Sequence, residues 1–378
     1  VNAARLSLLR SVIGEFALLG DLEELEPFGT GHINDTFASR FRQAGTPVRY
    51  LHQRVNETVF RRPDEVMENI VRVTGHIASA LEKAGAADRS RKVLTVVRSR
   101  DGEPFVRDAE GGWWRSYLFI ESARTFEVAD SPSQARTLGA CVGRFQLQLA
   151  DLGGPRLRET IPGFHDMGRR YEAFDAALSS DPLGRAEAVA REIGFMEANR
   201  ERGAVLARAL GDGLIPERIC HNDTKMNNIL IDEGSGEGLC VTDLDTVMPG
   251  SPLYDVGDLV RTVATRAAED ERDLSRVAFD PVFFRALLDG YLSEAGAFLE
   301  RAETELLAEA GRTITHIMGL RFLTDYLAGD AYYRISRQGH NLDRCRTQIA
   351  LIESMDAQRE AIDETVGELT ARYARSGA

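Results

Sequence analysis

The stretch Ile219-Cys220-His221-Asn222-Asp223-Thr224-Lys225-Met226-Asn227-Asn228-Ile229-Leu230-Ile231, followed by Val241-Thr242-Asp243-Leu244-Asp245, constrains this chain more than any other. It holds two short apolar runs, 229–231 and 239–241, separated by Asp232-Glu233-Gly234-Ser235-Gly236-Glu237-Gly238. Aliphatic runs bounded by a glycine-rich segment read as two strands of a hairpin. The hairpin would bring Asn228 and Asp243 back beside each other. An Asp, a Lys two residues on and an Asn five residues on would then share a site with a second acid.

These residue types suit transfer of a phosphoryl group to a hydroxyl. That reaction asks the protein for positioning and charge neutralisation rather than covalent chemistry. Asp223 can accept a hydrogen bond from an attacking hydroxyl, and late in the reaction its proton. Lys225, on the same side of an extended loop, can reach the γ-phosphate of ATP. Asn228 offers a neutral oxygen and Asp243 a charged one to magnesium, a hard cation that prefers oxygen. Asp223 and Lys225 are thus the catalytic candidates, and Asn228 and Asp243 the metal ligands. A single Asp or Asn in a loop is usually a solvated turn residue; this set of four around a hairpin is much rarer. His221 reads as a brace for the loop. Asp245 is open between a second metal ligand and a residue that shapes the turn.

The chain has 378 residues, enough for two lobes with ample core. The N-terminal part reads as an opening helix around Leu6, Leu9, Ile13 and Phe16. Strands follow over 23–28, 36–41 and 48–55, then a helix over 64–83, then strands over 93–98, 104–107 and 113–120. Helical patterns dominate from 133 onward. The expected fold class is α+β: an antiparallel-sheet nucleotide-binding lobe over 1–122 and a mainly helical catalytic and substrate lobe over 123–378. The stretch 121–130 reads as the hinge, with Glu121 and Ala123 as nucleotide contacts.

Within that scheme Gly29-Thr30-Gly31 reads as a phosphate-covering turn, because glycines let backbone N–H groups approach an anion. A lone Gly-x-Gly is weak evidence, and the catalytic loop is what strengthens it. His32 and Asn34 add side chains next to that turn. The third strand carries no lysine for the α- and β-phosphates. Gln53 and Arg54 are the candidates, and alternation lets only one face the nucleotide. Glu68 is the partner for Arg54 if that arginine points in.

The net charge of −13 argues against general nucleic-acid binding. No apolar run approaches the ~20 residues of a membrane span, and the N-terminus has no signal-peptide pattern. Four scattered cysteines without a Cys-x-x-Cys pair read as reduced, buried thiols of a cytoplasmic protein.

His221-x-Asp223 with Asn228 and Asp243 resembles the pattern of the aminoglycoside and choline phosphotransferase superfamily, which has a bilobal protein-kinase-like fold. Gly29-Thr30-Gly31-His32-Ile33-Asn34-Asp35-Thr36, Tyr50-Leu51-His52-Gln53-Arg54-Val55-Asn56, Asp243-Leu244-Asp245-Thr246-Val247-Met248-Pro249-Gly250 and Arg321-Phe322-Leu323-Thr324-Asp325-Tyr326 with Gly329-Asp330-Ala331-Tyr332-Tyr333 resemble the bacterial N-acetylhexosamine 1-kinases. The resemblance implies transfer from ATP, with Mg2+, to the anomeric C1 hydroxyl of GlcNAc or GalNAc. It turns His32, Asn34, Arg321 and Tyr332 towards the sugar. Arg321, Asp325 and Tyr332, at i, i+4 and i+11, would share one helix face. Asp255 reads as a helix cap, and by resemblance Asp258 would hydrogen-bond the catalytic-loop backbone. Thr262 departs from the aromatic residue expected there. Other classes remain: a kinase of choline-like or aminoglycoside acceptors, a glycosyltransferase using Asp243 and Asp245, or a nucleotide-binding pseudokinase supported only by the missing lysine.

Overall fold

The computed structural model describes residues 3–29 and 33–373. The fold is α+β, with an antiparallel sheet in the N-terminal region and helices in the C-terminal part. The chain divides into two compact units.

The first unit runs to Ala123 and takes in Leu152–Ile161 and Thr242–Val247. It opens with α1 (Ala3–Glu15). Strands β1 (Asp21–Pro27), β2 (Asp35–Gln43) and β3 (Thr46–Arg54) follow, then α2 (Pro63–Lys83) and strands β4 (Val96–Val97), β5 (Val106–Arg107) and β6 (Trp113–Leu118). The sheet is antiparallel throughout, in the order β1-β2-β3-β6-β4, with β5 also pairing β6. Register sorts its side chains into two rows. Thr36 opposes Gln53, which opposes Arg115; Phe37 opposes His52, which opposes Ser116. Alternation puts these rows on opposite faces.

The Phe37 row faces the core. Phe37, Phe41, Tyr50 and Trp114 pack with Leu9, Val12, Ile13 and Phe16, which recur at helical spacing along and just past α1. His52 is buried in this face, 2.7 Å from Ser39 Oγ and 2.6 Å from Ser116 Oγ. Burial pushes its imidazole down to about 4.

Pro63 suits the first turn of α2 because its missing N–H would have no helical partner there. Buried within α2, Asn69 ties distant segments together. Its amide donates to Arg158 O at 2.8 Å and Val247 O at 2.9 Å and accepts from Arg158 N at 3.0 Å. The chain's return at 242–247 is thereby fixed to α2.

The second unit comprises Arg124–Asp151, Pro162–Val241 and the described residues from Met248 onward. Helix Leu307–Ala328 is buried along most of its length and packs against Pro252–Val263, Met167–Ser180 and His340–Ala357. At Gly257 a Cβ would lie 2.3 Å from Ala310 O, so only glycine lets helices Pro252–Val263 and Leu307–Ala328 approach this closely. Ile229–Asp232 and Gly238–Val241 form the expected hairpin, with Val241 opposite Ile229. All four cysteines are buried thiols. No helix among the described residues is long and apolar enough to cross a membrane.

Candidate active site

The second unit builds the loop that carries Asp223 from a small ribbon, Arg218–Cys220 paired with Met248–Gly250. Asn222 leaves the ribbon with φ 66°, a left-handed conformation that asparagine tolerates better than most residues. Its amide donates to Cys220 O at 3.1 Å and Met248 O at 3.3 Å. His221 is fully buried, and its Nδ1 accepts from Asp223 N at 3.2 Å, so it braces the loop.

The family resemblance assigns the anchoring of this loop to Asp258. Asp255 has that part instead. Its carboxylate accepts from His221 N at 3.0 Å, Asn222 N at 2.6 Å and Gln146 Nε2 at 2.9 Å. Its carbonyl accepts from Thr224 Oγ1 at 2.6 Å. Asp255 does not cap its helix, because Ser251 occupies the N-cap and accepts from Leu253 N. Asp258, one turn along, is paired with Arg261 at 2.7 Å. Burial pushes the carboxyls of both Asp255 and Asp258 up, against the opposing pull of their partners. Thr262 uses its hydroxyl where an aromatic was expected, accepting from Met226 N at 3.3 Å.

Asp223 and Lys225 emerge together, with Lys225 Nζ 3.3 Å from Asp223 Oδ2. Burial works against the ionised form of Asp223. The charge of Lys225, with a smaller pull from Arg261, more than offsets it and holds the carboxyl below the usual carboxylate range. The Asn228 amide donates to Asp223 O at 2.8 Å and Asp223 Oδ2 at 3.2 Å. In that orientation the amide oxygen is the atom Asn228 would present to a cation. Asn227 Nδ2 contacts Glu127 Oε1 at 3.2 Å.

In the first unit Asp243 also has a left-handed backbone, φ 58°, at the start of the 3-10 turn Leu244–Thr246. Asp245 is not open to a metal. It forms a buried ion pair with Arg115, and its second oxygen accepts from Asn34 Nδ2 at 2.7 Å. Asn34 is therefore spent on this turn and on Asn56 N, which donates to its Oδ1 at 3.0 Å. Asn228 and Asp243 each carry an oxygen donor of the kind magnesium takes.

Of the two strand candidates, Gln53 lies in the row with Arg115. It accepts from Arg115 Nε at 2.9 Å and donates to Thr36 Oγ1 at 3.2 Å. Arg54 belongs to the opposite row and is turned to Asp108, 3.8 Å away. Glu68 pairs with Arg158 at 3.2 Å, not with Arg54. Gly29 has a left-handed backbone, φ 73°; Thr30, Gly31 and His32 lie outside the described residues. The Glu121 carboxylate is held by Arg49 and its carbonyl accepts from Arg91 at 2.9 Å. Ala123 begins the two-residue strand Ala123–Arg124.

Arg321 and Tyr332 do come together, although not on one helix. The helix ends at Ala328, capped by Gly329 at φ 101°, and Asp330 follows at φ 61°. The Asp325 carboxylate then collects the next three backbone nitrogens, from Ala331 at 2.9 Å, Tyr332 at 2.8 Å and Tyr333 at 2.9 Å. The chain folds back so that the Arg321 guanidinium lies 5.7 Å from the Tyr332 ring centroid, 5.4 Å from Tyr333 and 4.9 Å from Phe164. Arg170 is a neighbour, donating to Phe164 O at 3.0 Å. Burial, and then repulsion from Arg321, push Arg170 down to about 10. Neither arginine forms an ion pair among the described residues. Asp223 contributes to holding the Arg321 charge.

Two buried polar atoms here have no partner among the described residues, His165 Nδ1 and Tyr333 Oη. His165 Nε2 lies 2.9 Å from the carbonyl of Asn222, which can only accept. The proton is therefore on Nε2, and Nδ1 is a bare acceptor. Burial keeps this ring neutral, down to about 3. Sequence reasoning missed Arg115, Asn69, His165, Arg170 and the anchoring part of Asp255. Arg115 did carry a signal, as an arginine inside the apolar run 113–120.

The model of the phosphotransferase enzyme family matches residues 24–303. Among solved structures, an aminoglycoside phosphotransferase from Alicyclobacillus acidocaldarius matches at TM-score 0.56 and 12% identity, over 96% of each chain. A spectinomycin phosphotransferase in complex with ADP and spectinomycin matches at TM-score 0.55 and 12% identity, over 93% of this chain and 98% of that one. A choline kinase from Streptococcus pneumoniae matches at TM-score 0.51 and 14% identity, over 89% and 94%. At these identities the likeness is one of fold.

Proposed function

The chain belongs to the phosphotransferase enzyme family, and we propose that it transfers the γ-phosphoryl group of ATP, with Mg2+, to the anomeric C1 hydroxyl of an N-acetylhexosamine. The observation that carries the kinase reading is the braced loop that presents Asp223 and Lys225 together, with Asn228 bonded to Asp223. Asp223 is the base. Held ionised by Lys225, it accepts the hydrogen bond of the attacking hydroxyl and takes the proton as the new P–O bond forms. Lys225 turns its charge to the phosphoryl group in transfer. Asn228 and Asp243 would hold magnesium, which would neutralise phosphate charge there.

The acceptor reading rests on the cluster around Arg321. Two neighbouring guanidiniums without carboxylate partners among the described residues repel a cationic acceptor such as choline or an aminoglycoside. The acidic net charge of the whole chain acts at longer range and is screened beyond ~8 Å at physiological salt. Arginine forks, the Tyr333 hydroxyl and the bare Nδ1 of His165 suit a neutral ligand with many hydroxyl and amide groups. The C1 position and the N-acetylhexosamine identity come from the resemblance of the Gly29–Thr36 and Arg321–Tyr333 motifs.

The test is acceptor-stimulated ADP release with Mg-ATP. The panel holds N-acetylglucosamine, N-acetylgalactosamine, glucose, choline and an aminoglycoside. Turnover with the N-acetylhexosamines alone is expected. Turnover only with the amines would overturn the acceptor reading and leave the kinase reading standing.

A further inference from the structure

The missing strand lysine raises the question of which group does its work. In many kinases of this fold class a cation on the third strand serves the nucleotide phosphates and is held by an acid on the following helix. Here β3 has Gln53 in the relevant row, and the buried polar residues of α2, Asn69 and Thr74, are neutral. A cation is nonetheless present in that row. Arg115 stands directly opposite Gln53, one strand over on β6.

Arg115 is 1% exposed and its partner Asp245 3%. A buried ion pair is seldom retained for stability, because desolvation consumes most of the Coulombic gain. Its geometry suggests a different use. Asp245 is two residues from Asp243, inside the same tight turn. The turn is gripped at three points: Arg115 on one oxygen of Asp245, Asn34 on the other at 2.7 Å, and Asn69 on Val247 O at 2.9 Å. Asp243 itself is in the left-handed region, which costs of order 1 kcal/mol for a residue with a side chain and persists only when its surroundings impose it.

We propose that Arg115 is a positioning residue for the metal–nucleotide complex. By holding Asp245 it fixes the turn that aims Asp243, and it supplies from β6 the positive charge that β3 lacks. Asp245 is then a structural acid and not a magnesium ligand. This rests on the kinase reading above.

The opposite assignment predicts the opposite sign, which makes the proposal testable. If Asp245 were a latent metal ligand, removing Arg115 would release it and tighten metal binding. The experiment is calorimetric titration of Mg-ADP, and of Mg2+ at fixed ADP, into wild type, Arg115→Gln and the double variant Arg115→Gln/Asp245→Asn. The double variant leaves no uncompensated buried charge, so it keeps the test open if the single variant does not fold. The expected result is weakening by about tenfold or more, near 1.4 kcal/mol, in whichever variant is folded. Acceptor KM should stay within about twofold, a change too small to mark lost binding. Unchanged or tighter Mg-ADP binding in a folded variant overturns the proposal. Absence of Mg-ADP binding by the wild type would instead overturn the kinase reading on which it rests.

Discussion

The carboxylate of Asp255 lies 2.6 Å from the backbone nitrogen of Asn222, and that hydrogen bond holds the entrance to the Asp223 loop. Asp255 is fully buried and also accepts from His221 N and Gln146. Asp255→Ala would strand two buried N–H donors. The expected cost is about 2–4 kcal/mol of stability, with activity falling alongside. Thermal melts of the purified variant check it; an unchanged Tm would show that the loop is held by other means.

Asp223→Asn should behave differently. The amide keeps the shape of the carboxylate but cannot take a proton. Turnover is expected to fall by ~10²–10⁴, the scale of a general base, with Tm nearly unchanged. Because Lys225 holds the Asp223 carboxyl low despite burial, the acid limb of the kcat/KM profile should lie below the ordinary carboxylate range of 3.8. Wild-type turnover in a folded Asp223→Asn protein would remove this residue from the chemistry.

The catalytic loop was legible in the sequence because its parts are neighbours in the chain. Asp223, Lys225, Asn228 and the hairpin after them fall within two dozen residues, and a glycine-rich turn joins the strands. Contacts made across the fold left little trace. Asp255 and Asp258 are both acids on one helix, and nothing in their spacing tells which one meets the loop. Arg115 finds Asp245 130 residues away, and Asn69 finds Val247 178 residues away. The helical reading through Tyr332 went too far because Asp325 looks like an ordinary helix residue. Its carboxylate instead terminates the helix by accepting the next three N–H groups. Gly329, at the turn, was the available signal.

That role of Asp325 gives a prediction about the acceptor. Asp325→Ala should release the backbone of 331–333 and unseat Tyr332 and Tyr333 from Arg321. Acceptor KM should rise roughly tenfold or more, equivalent to ~1.4 kcal/mol, and ATP KM should stay nearly unchanged. Arg321→Ala should show the same split. Steady-state kinetics with each substrate varied in turn measures it; equal increases in both constants would contradict the assignment.

Buried histidines contribute to the acid response of stability. His52 and His316 are each pushed down to about 4 by burial, and His165 to about 3. The unfolded chain, with ordinary values near 6.5, binds more protons between these limits than the folded one. Their contribution is therefore fully present above pH 6.5 and is lost as pH falls towards 4. Tm measured across this window should fall steadily with acidification. A flat profile would mean that these rings are more hydrated than their burial indicates.

Under the proposed function, Asp223 directs phosphate to the anomeric hydroxyl of an N-acetylhexosamine. Phosphorus NMR of the product formed from Mg-ATP and N-acetylglucosamine tests it most directly. A resonance coupled to the anomeric proton, formed by the wild type and not on the same timescale by Asp223→Asn, is the predicted result. Phosphate on any other hydroxyl, or product only from an amine-bearing acceptor, would contradict it.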